Sequence, residues 1–271
     1  MNLSDTFREL KKRNEGALIA YITGGDPSVK HTQKIAEALF KGGTDILEIG
    51  IPFSDPIADG PIIQAASNRA LKVGTTPERI FDIIKKTKKQ IEIPIVILTY
   101  FNIIFKKGIK TFLEQANAAS VDGIIVPDLP IEEANDYKNI AKKMGINTIF
   151  LATPSTSLNR LKDILEYTSG FLYLVSLFGV TGIRKNIAEL TTHTIKKFKP
   201  HMLNSVPMAV GFGISKPEHV SKIINCGAEG TIVGSAFVKI IESNLQNSSK
   251  LLNQINLLAK ELKSSTIKKT K

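Results

Sequence analysis

A (β/α)8 barrel is the fold class that these 271 residues predict, and three observations lead there. Short apolar runs alternate with helix-like segments along the whole chain, making eight strand–helix units, and such alternation calls for a parallel sheet with helices outside. The runs, IPIVIL at 93–98 among them, are rich in Ile, Val and Leu and hold no Lys or Arg, as strands covered on both faces do. No GxGxxG follows the first strand and no Pro-rich linker divides the chain. Closure into a single barrel domain over residues 1–271 is therefore expected, not an open doubly wound sheet.

The elements follow in order. An extra N-terminal helix over 3–13 is placed at the lower end of the barrel. Strand one, 17–23, precedes a helix over 28–41 capped by Ser28. Strand two, 45–50, leads into a loop with Pro52, Pro56, Gly60 and Pro61, which cannot continue as helix or strand. Helical segments at 61–71 and 77–89 come next. Strand three, 93–98, is followed by a helix near 109–119. Strand four, 123–126, precedes a helix over 131–144 with Glu132 and Glu133 in its first turn, where acids suit the helix dipole. Strand five at 148–151 leads to a helix at 158–167. Strand six at 171–175 is followed by a Gly-containing loop and a helix at 188–198. Strand seven, 207–210, pairs with a helix at 217–225. Strand eight, 229–233, runs into an extra short helix at 235–245 and a terminal helix ending near Lys263.

Composition narrows the function. Hydrophobic residues make up 42% of the chain and mean hydropathy is +0.02, enough for a large core. No apolar run approaches the roughly 20 residues of a membrane-spanning helix. The net charge of +11 raises the question of nucleic acid, but it comes from 30 Lys against 6 Arg, scattered and without interleaved aromatics, so no nucleic-acid partner is expected. One cysteine, Cys226, excludes an internal disulfide. The start, MNLSDTFRELKKRNEG, has no apolar stretch of the secretory kind. Cytoplasm is the expected location, and a plastid stroma would look the same.

The chemistry is expected where such barrels keep it, at the C-terminal ends of the strands. Period two in Ile46-Leu47-Glu48-Ile49 puts Glu48 in the barrel mouth and Leu47 and Ile49 toward the helices. A lone buried carboxylate costs several kcal/mol unless paired or used, and the predicted strands offer no cation. Asp55 and Asp59 follow in the punctuated loop. Late in the chain, Gly211-Phe212-Gly213-Ile214-Ser215 and Val233-Gly234-Ser235-Ala236 end strands with small residues, at the two loops where these barrels bind phosphate through backbone N–H groups. Gly179-Val180-Thr181-Gly182 can close the same cup. Tyr21, Leu98, Tyr173 and Phe212 would wall a flat aromatic ligand. The four histidines lack ligand spacing, so no metal is expected.

These residues together resemble the tryptophan synthase alpha subunit family. The resemblance runs from about Arg8 to Lys260 and rests on LEIGIPFSDPIADGPIIQ at 47–64, YITGGDP at 21–27, PDLPIEE at 127–133, GVTGIR at 179–184, GFGIS at 211–215 and VGSA at 233–236. It implies a carbon–carbon lyase that cleaves indole-3-glycerol phosphate to indole and glyceraldehyde 3-phosphate in tryptophan biosynthesis. It further implies an α2β2 heterotetramer whose beta subunit carries the pyridoxal phosphate, with no cofactor in this chain. By the same resemblance Glu48 is the general acid and base, and Asp59 accepts a hydrogen bond from the indole N–H. Tyr173 orients Glu48 or the glycerol chain, and Thr181 bonds Asp59 on loop closure. Gly182, Gly213, Gly234 and Ser235 hold the phosphate, while Asp55, Pro56, Asn102 and Pro130 face the beta subunit.

Two departures stand out: Tyr21 where many relatives carry Phe, and Ser176-Leu177-Phe178 without the Arg some place there. Two rival readings compete. An indole-3-glycerol phosphate synthase would need a Lys in the barrel mouth, and no predicted strand has one. A catalytically idle barrel that only binds and activates a beta-type subunit would have no use for both Glu48 and Asp59.

Overall fold

The computed structural model describes residues 1–176, 184–202 and 206–268, with the side chains of 184–188 excepted. Among the described residues nine strands, all parallel, run β1 Ala17–Thr23, β2 Ile46–Gly50, β3 Ile95–Leu98, β4 Gly123–Ile125, β5 Asn147–Ile149, β6 Leu151–Ala152, β7 Leu172–Val175, β8 Met208–Gly211 and β9 Gly230–Val233. The helices are α1 Leu3–Lys12, α2 Val29–Lys41, α3 Pro61–Lys72, α4 Pro77–Thr87, α5 Phe101–Lys107, α6 Ile109–Ala118, α7 Asn135–Lys143, α8 Leu158–Tyr167, α9 Arg184–Phe198, α10 Pro217–Asn225, α11 Ser235–Ser243 and α12 Ser248–Ser264. Ladder order is β5-β4-β3-β2-β1-β9-β8-β7-β6. β5 and β6 are one barrel strand interrupted at Phe150: the first half pairs with β4 and the second with β7. The chain itself closes the ring, and the expected eight-fold barrel is the fold.

Local chemistry sets the helix starts. Asn2, Ser28, Thr76 and Ser157 each accept a backbone N–H of the following turn, and α3, α4 and α10 begin on Pro, whose fixed φ suits the first helical position. Side chains then sort by period two. Ile19, Ile46, Val96, Ile125 and Ile232 fill the barrel interior, while Leu18, Ala20, Leu47 and Ile49 pack outward against the helices. Leu3, Phe7 and Leu10 of α1, one face of that helix, join the interior cluster and plug its lower end.

Three expectations need correction. The loop after strand three carries a helix, α5, that was not foreseen. The single helix expected over 131–144 is a 3-10 turn at Ile131–Glu133 followed by α7, so Glu132 and Glu133 sit in the turn. The helix after β7 already runs at Arg184, not 188.

The lower rim repeats one device. Ahead of β2, β4, β7 and β9, residues Asp45, Asp122, Ser169 and Glu229 each donate a backbone N–H to a carbonyl near the start of the preceding barrel strand: those of Leu18, Ile95, Thr148 and Met208, at 2.7–3.0 Å. Each side chain takes back the N–H of that same residue, at 2.8, 2.8, 3.0 and 3.0 Å respectively. The three acids also carry lysines: Lys263 on Asp45, Lys88 on Asp122 and Lys199 on Glu229. Lys263 comes from α12 and also bonds Glu15, so the last helix is tied to the first strand crossing.

Candidate active site

The opposite rim holds the unusual carboxylates. Glu48 lies beside Tyr21 of β1 and Val96 of β3 in the ladder, and its outward neighbours Leu47 and Ile49 belong to the helix-facing layer. The side chain therefore points into the barrel. Glu48 is 1% exposed, and its Oε2 has no hydrogen-bond partner among the described residues. Burial, and then the nearby charge of Asp59, push its carboxyl up to about 8. It is a carboxylic acid that still holds its proton at neutral pH.

Asp59 ends the punctuated loop, one residue before the Gly60 that caps α3. Burial raises its carboxyl, and a hydrogen bond from the Tyr100 hydroxyl works against that shift. The same hydroxyl accepts the Ala58 N–H at 3.1 Å, and the Gln64 side chain donates to the Asp59 carbonyl at 2.8 Å. The loop is thus held at three points around its acid. Tyr100 is a site residue that the sequence reading missed. Its signal was its place directly beyond strand three, at the mouth.

Tyr21, beside Glu48 in the ladder, and Tyr173 of β7 are both buried, and burial raises both phenols. Asp59 and Glu48 add to the shift at each ring. Each ring leans over a glycine of the neighbouring strand. A Cβ at Gly50 would sit 2.3 Å from the Tyr21 hydroxyl, and one at Gly211 would sit 2.4 Å from that of Tyr173. Those two glycines exist to let the rings lie down. The Tyr21 hydroxyl shares a hydrogen bond with Thr23 Oγ1 at 3.2 Å. Leu98 packs with Tyr21 at the end of β3, and Phe212 meets Tyr173 edge-on at 6.1 Å between centroids. The four predicted wall residues are brought to one end of the barrel.

Phosphate-type geometry lies across the mouth. Phe212 and Gly213, directly after β8, are both left-handed (φ 74° and 73°), and Ser176 donates its hydroxyl to the Phe212 carbonyl. A left-handed Phe is a strained position that its surroundings must hold. Phe212 is 38% exposed, so its ring faces the opening. Gly234 starts α11 without a side-chain cap, which leaves the first N–H groups, Ser235 among them, free to take an anion. Thr181 and Gly182 lie outside the described residues.

Asp55, Asn102 and Pro130 are exposed and Pro56 is half-buried, on the loop after β2, on α5 and on the loop after β4. Ile57 and Phe105, on the first two of these, are 81% and 70% exposed, and sequence reading had not singled them out. Asn102 sits on α5, in the stretch between strand three and the helix near 109–119 where the sequence placed no element.

Comparison with known proteins agrees with this geometry. Residues 7–267 match the family described as tryptophan synthase alpha chain. The tryptophan synthase alpha chain of Methanosarcina barkeri is 46% identical over 262 residues, covering 97% of this chain and 96% of that one. That of Methanocaldococcus jannaschii is 48% identical over 255 residues, 94% and 89% of the two chains. Among solved structures, a chain of the tryptophan synthase α2β2 complex of Pyrococcus furiosus superposes with a TM-score of 0.85 at 42% identity, covering 92% of this chain and 98% of that chain. Tryptophan synthase subunit alpha from Legionella pneumophila gives 0.89 at 33% identity, with 98% of each covered. A barrel whose mouth holds a proton-bearing Glu48 beside Asp59, and whose sequence matches over nearly all its length, belongs to the tryptophan synthase alpha chain family.

Proposed function

We propose that this chain cleaves indole-3-glycerol phosphate with Glu48 as proton donor and acceptor and Asp59 as partner of the indole N–H. The protonated Glu48 delivers its proton to C3 of the ring. The ring nitrogen then carries positive charge, which the Asp59 carboxylate stabilises while it accepts the N–H. The hydroxyl on the side-chain carbon bonded to C3 gives its proton to the Glu48 carboxylate, and that carbon becomes the aldehyde as the C–C bond breaks. Its electron pair returns to the ring, and indole and glyceraldehyde 3-phosphate leave. Atoms and charge balance, and Glu48 ends protonated, ready for the next turnover.

Asp59 has a second effect. Its charge adds to the burial that keeps Glu48 protonated, so one carboxylate prepares the acid and receives the cation. Backbone donors at Gly213, Gly234 and Ser235, with Gly182, grip the phosphate and hold the reacting bond in place. Tyr173 orients Glu48 or the glycerol chain, and Thr181 bonds Asp59 when its loop closes. The steps use only side chains and backbone of this chain. Pyridoxal phosphate belongs to a beta subunit, which Asp55, Pro56, Asn102 and Pro130 meet in an α2β2 assembly. No described helix is long and apolar enough to cross a membrane, and cytoplasm is the proposed location, with a plastid stroma equally suited.

The observation that carries this reading is Glu48, wholly buried at the mouth with an unpaired oxygen. The test is indole release from indole-3-glycerol phosphate by the pure chain, alone and with a beta subunit. Slow release alone, faster release with the partner, and loss of both in Glu48→Gln are expected. Undiminished release by that variant would remove Glu48 from the chemistry. An idle, purely activating barrel would release no indole in either condition.

A further inference from the structure

Helix α3 begins two residues after Asp59 and presents a shallow face to the barrel. Ile63, Ala66, Ser67 and Ala70 are its buried residues, Ile63 and Ala66 packing with Tyr21 and Val238. Two alanines interdigitate little, so packing alone fixes the tilt of this helix weakly. Polar contacts do the fixing. Arg69 in its last turn donates Nε to Asp26 Oδ1 at 2.8 Å and Nη2 to Oδ2 at 2.9 Å, and Nη1 to Glu242 of α11 at 3.0 Å. The Asp26 side chain is fully buried, in the GGDP segment after β1, and Glu242 is half exposed. One guanidinium therefore joins three elements: the helix behind Asp59, the loop that follows the Tyr21 strand, and the helix whose N-terminus faces the phosphate cup.

We propose that Arg69 is a positioning residue for the lyase step, fixing α3 against the loop after β1 and so setting Asp59 over the ring. This rests on the reading of Asp59 as acceptor of the indole N–H. From Pro61 to Arg69 the helix spans about 12 Å, so a tilt of about 5° moves its first turn by about 1 Å. A displacement of that size can cost about a hundredfold in rate. Lysine cannot replace the fork, because a point charge cannot bond both Asp26 oxygens and Glu242 at once.

The experiment compares wild type, Arg69→Lys and Asp26→Asn, each with a beta subunit, measuring kcat and KM for indole release. Binding of glycerol 3-phosphate reads the phosphate cup alone, and thermal melting reads the folded fraction. Both variants are expected to lower kcat by about tenfold to a hundredfold, with glycerol 3-phosphate affinity within about threefold of wild type. The double variant should lose no more than Arg69→Lys does, since both break one clamp. A kcat within about twofold of wild type, a phosphate affinity falling in step with kcat, or additive losses would overturn the proposal. If one variant does not fold, the other decides; if neither folds, the pair is structural and the proposal fails. Wild type that releases no indole at all would instead defeat the reading of the site itself.

Discussion

Replacing Glu48 by Gln should make this protein more stable at neutral and alkaline pH, and increasingly so as pH rises through that range. The carboxyl moves from 4.5 when free to about 8 in the fold. At about 1.4 kcal/mol per pH unit, that difference is worth about 5 kcal/mol. The folded state holds the proton more tightly, so the contribution of Glu48 is complete below about pH 4.5 and is lost as pH climbs through about 8. Above that, the chain keeps a bare charge in a site with no cation beside it among the described residues. Gln preserves the shape and cannot ionise. Its amide is desolvated at a cost of about 1–3 kcal/mol, but that cost does not vary with pH. Every other titrating group is common to both proteins, so the difference between the two stability curves isolates Glu48, except for groups whose own shift includes the Glu48 charge.

The assay is urea unfolding followed by circular dichroism at pH 5, 6, 7, 8 and 9, with the stability difference taken at fixed m. The advantage of Gln over Glu is expected to grow by up to about 5 kcal/mol across that range and to level off above pH 8. A difference that stays flat from pH 5 to 9 would refute the argument, because it would mean that the carboxyl titrates normally in the fold. A difference that shrinks with pH would mean that a cation stabilises it.

Three further outcomes follow from the same geometry. On the proposed mechanism, Asp59→Asn removes the negative charge that stabilises the ring cation, though its amide oxygen can still accept, and should cut indole release by about 10²–10³; it should also lower the Glu48 carboxyl, moving the alkaline limb of proton uptake measured by carboxyl NMR to lower pH. An unmoved Glu48 titration would show that the two acids do not sense each other. Tyr100→Phe removes the hydroxyl held by Asp59 and the Ala58 N–H but keeps the ring, which lies 5.3 Å from that of Phe53; kcat should fall about tenfold with the melting temperature little changed, and full turnover would leave the Asp59 loop independent of it. Asp122→Ala strands the Ile95 N–H and Lys88 at the far end of the barrel, so urea unfolding should show a loss of about 3 kcal/mol while kcat of the folded enzyme stays as it was; a changed kcat would mean that the lower rim reaches the mouth.

How much of this was legible beforehand depended on whether a feature is local in the chain. Alternation of apolar runs and amphipathic segments is local, and it delivered the barrel with its first and last extra helices. Period two is local as well, and it put Glu48 inside and Leu47 and Ile49 outside, where the layers have them. Helix α5 was missed because FNIIFKK is short, apolar over most of its length and has no side-chain cap at Tyr100; Gly108 ends it with φ 86° and opens the next helix at once. The break at Phe150 was missed because nothing in TIFLA marks an interruption. It arises from the two flanking ladders claiming the strand at different points. Tyr100 on Asp59, and Arg69 on Asp26, are meetings between distant segments that only closure of the ring brings about.

The reciprocal bonds of the lower rim fall within barrel-strand pairs one and two, three and four, five and six, seven and eight. The protein is built by counting in twos, even though its ladders run continuously round the ring. A nick in the polypeptide between such pairs severs none of the four knots, whereas a nick inside a pair leaves an acid or a hydroxyl without the amide it was folded to hold. Segments with even numbers of strands are thus the natural pieces into which this chain divides, and Lys263 is the stitch that makes the last of them return to the first.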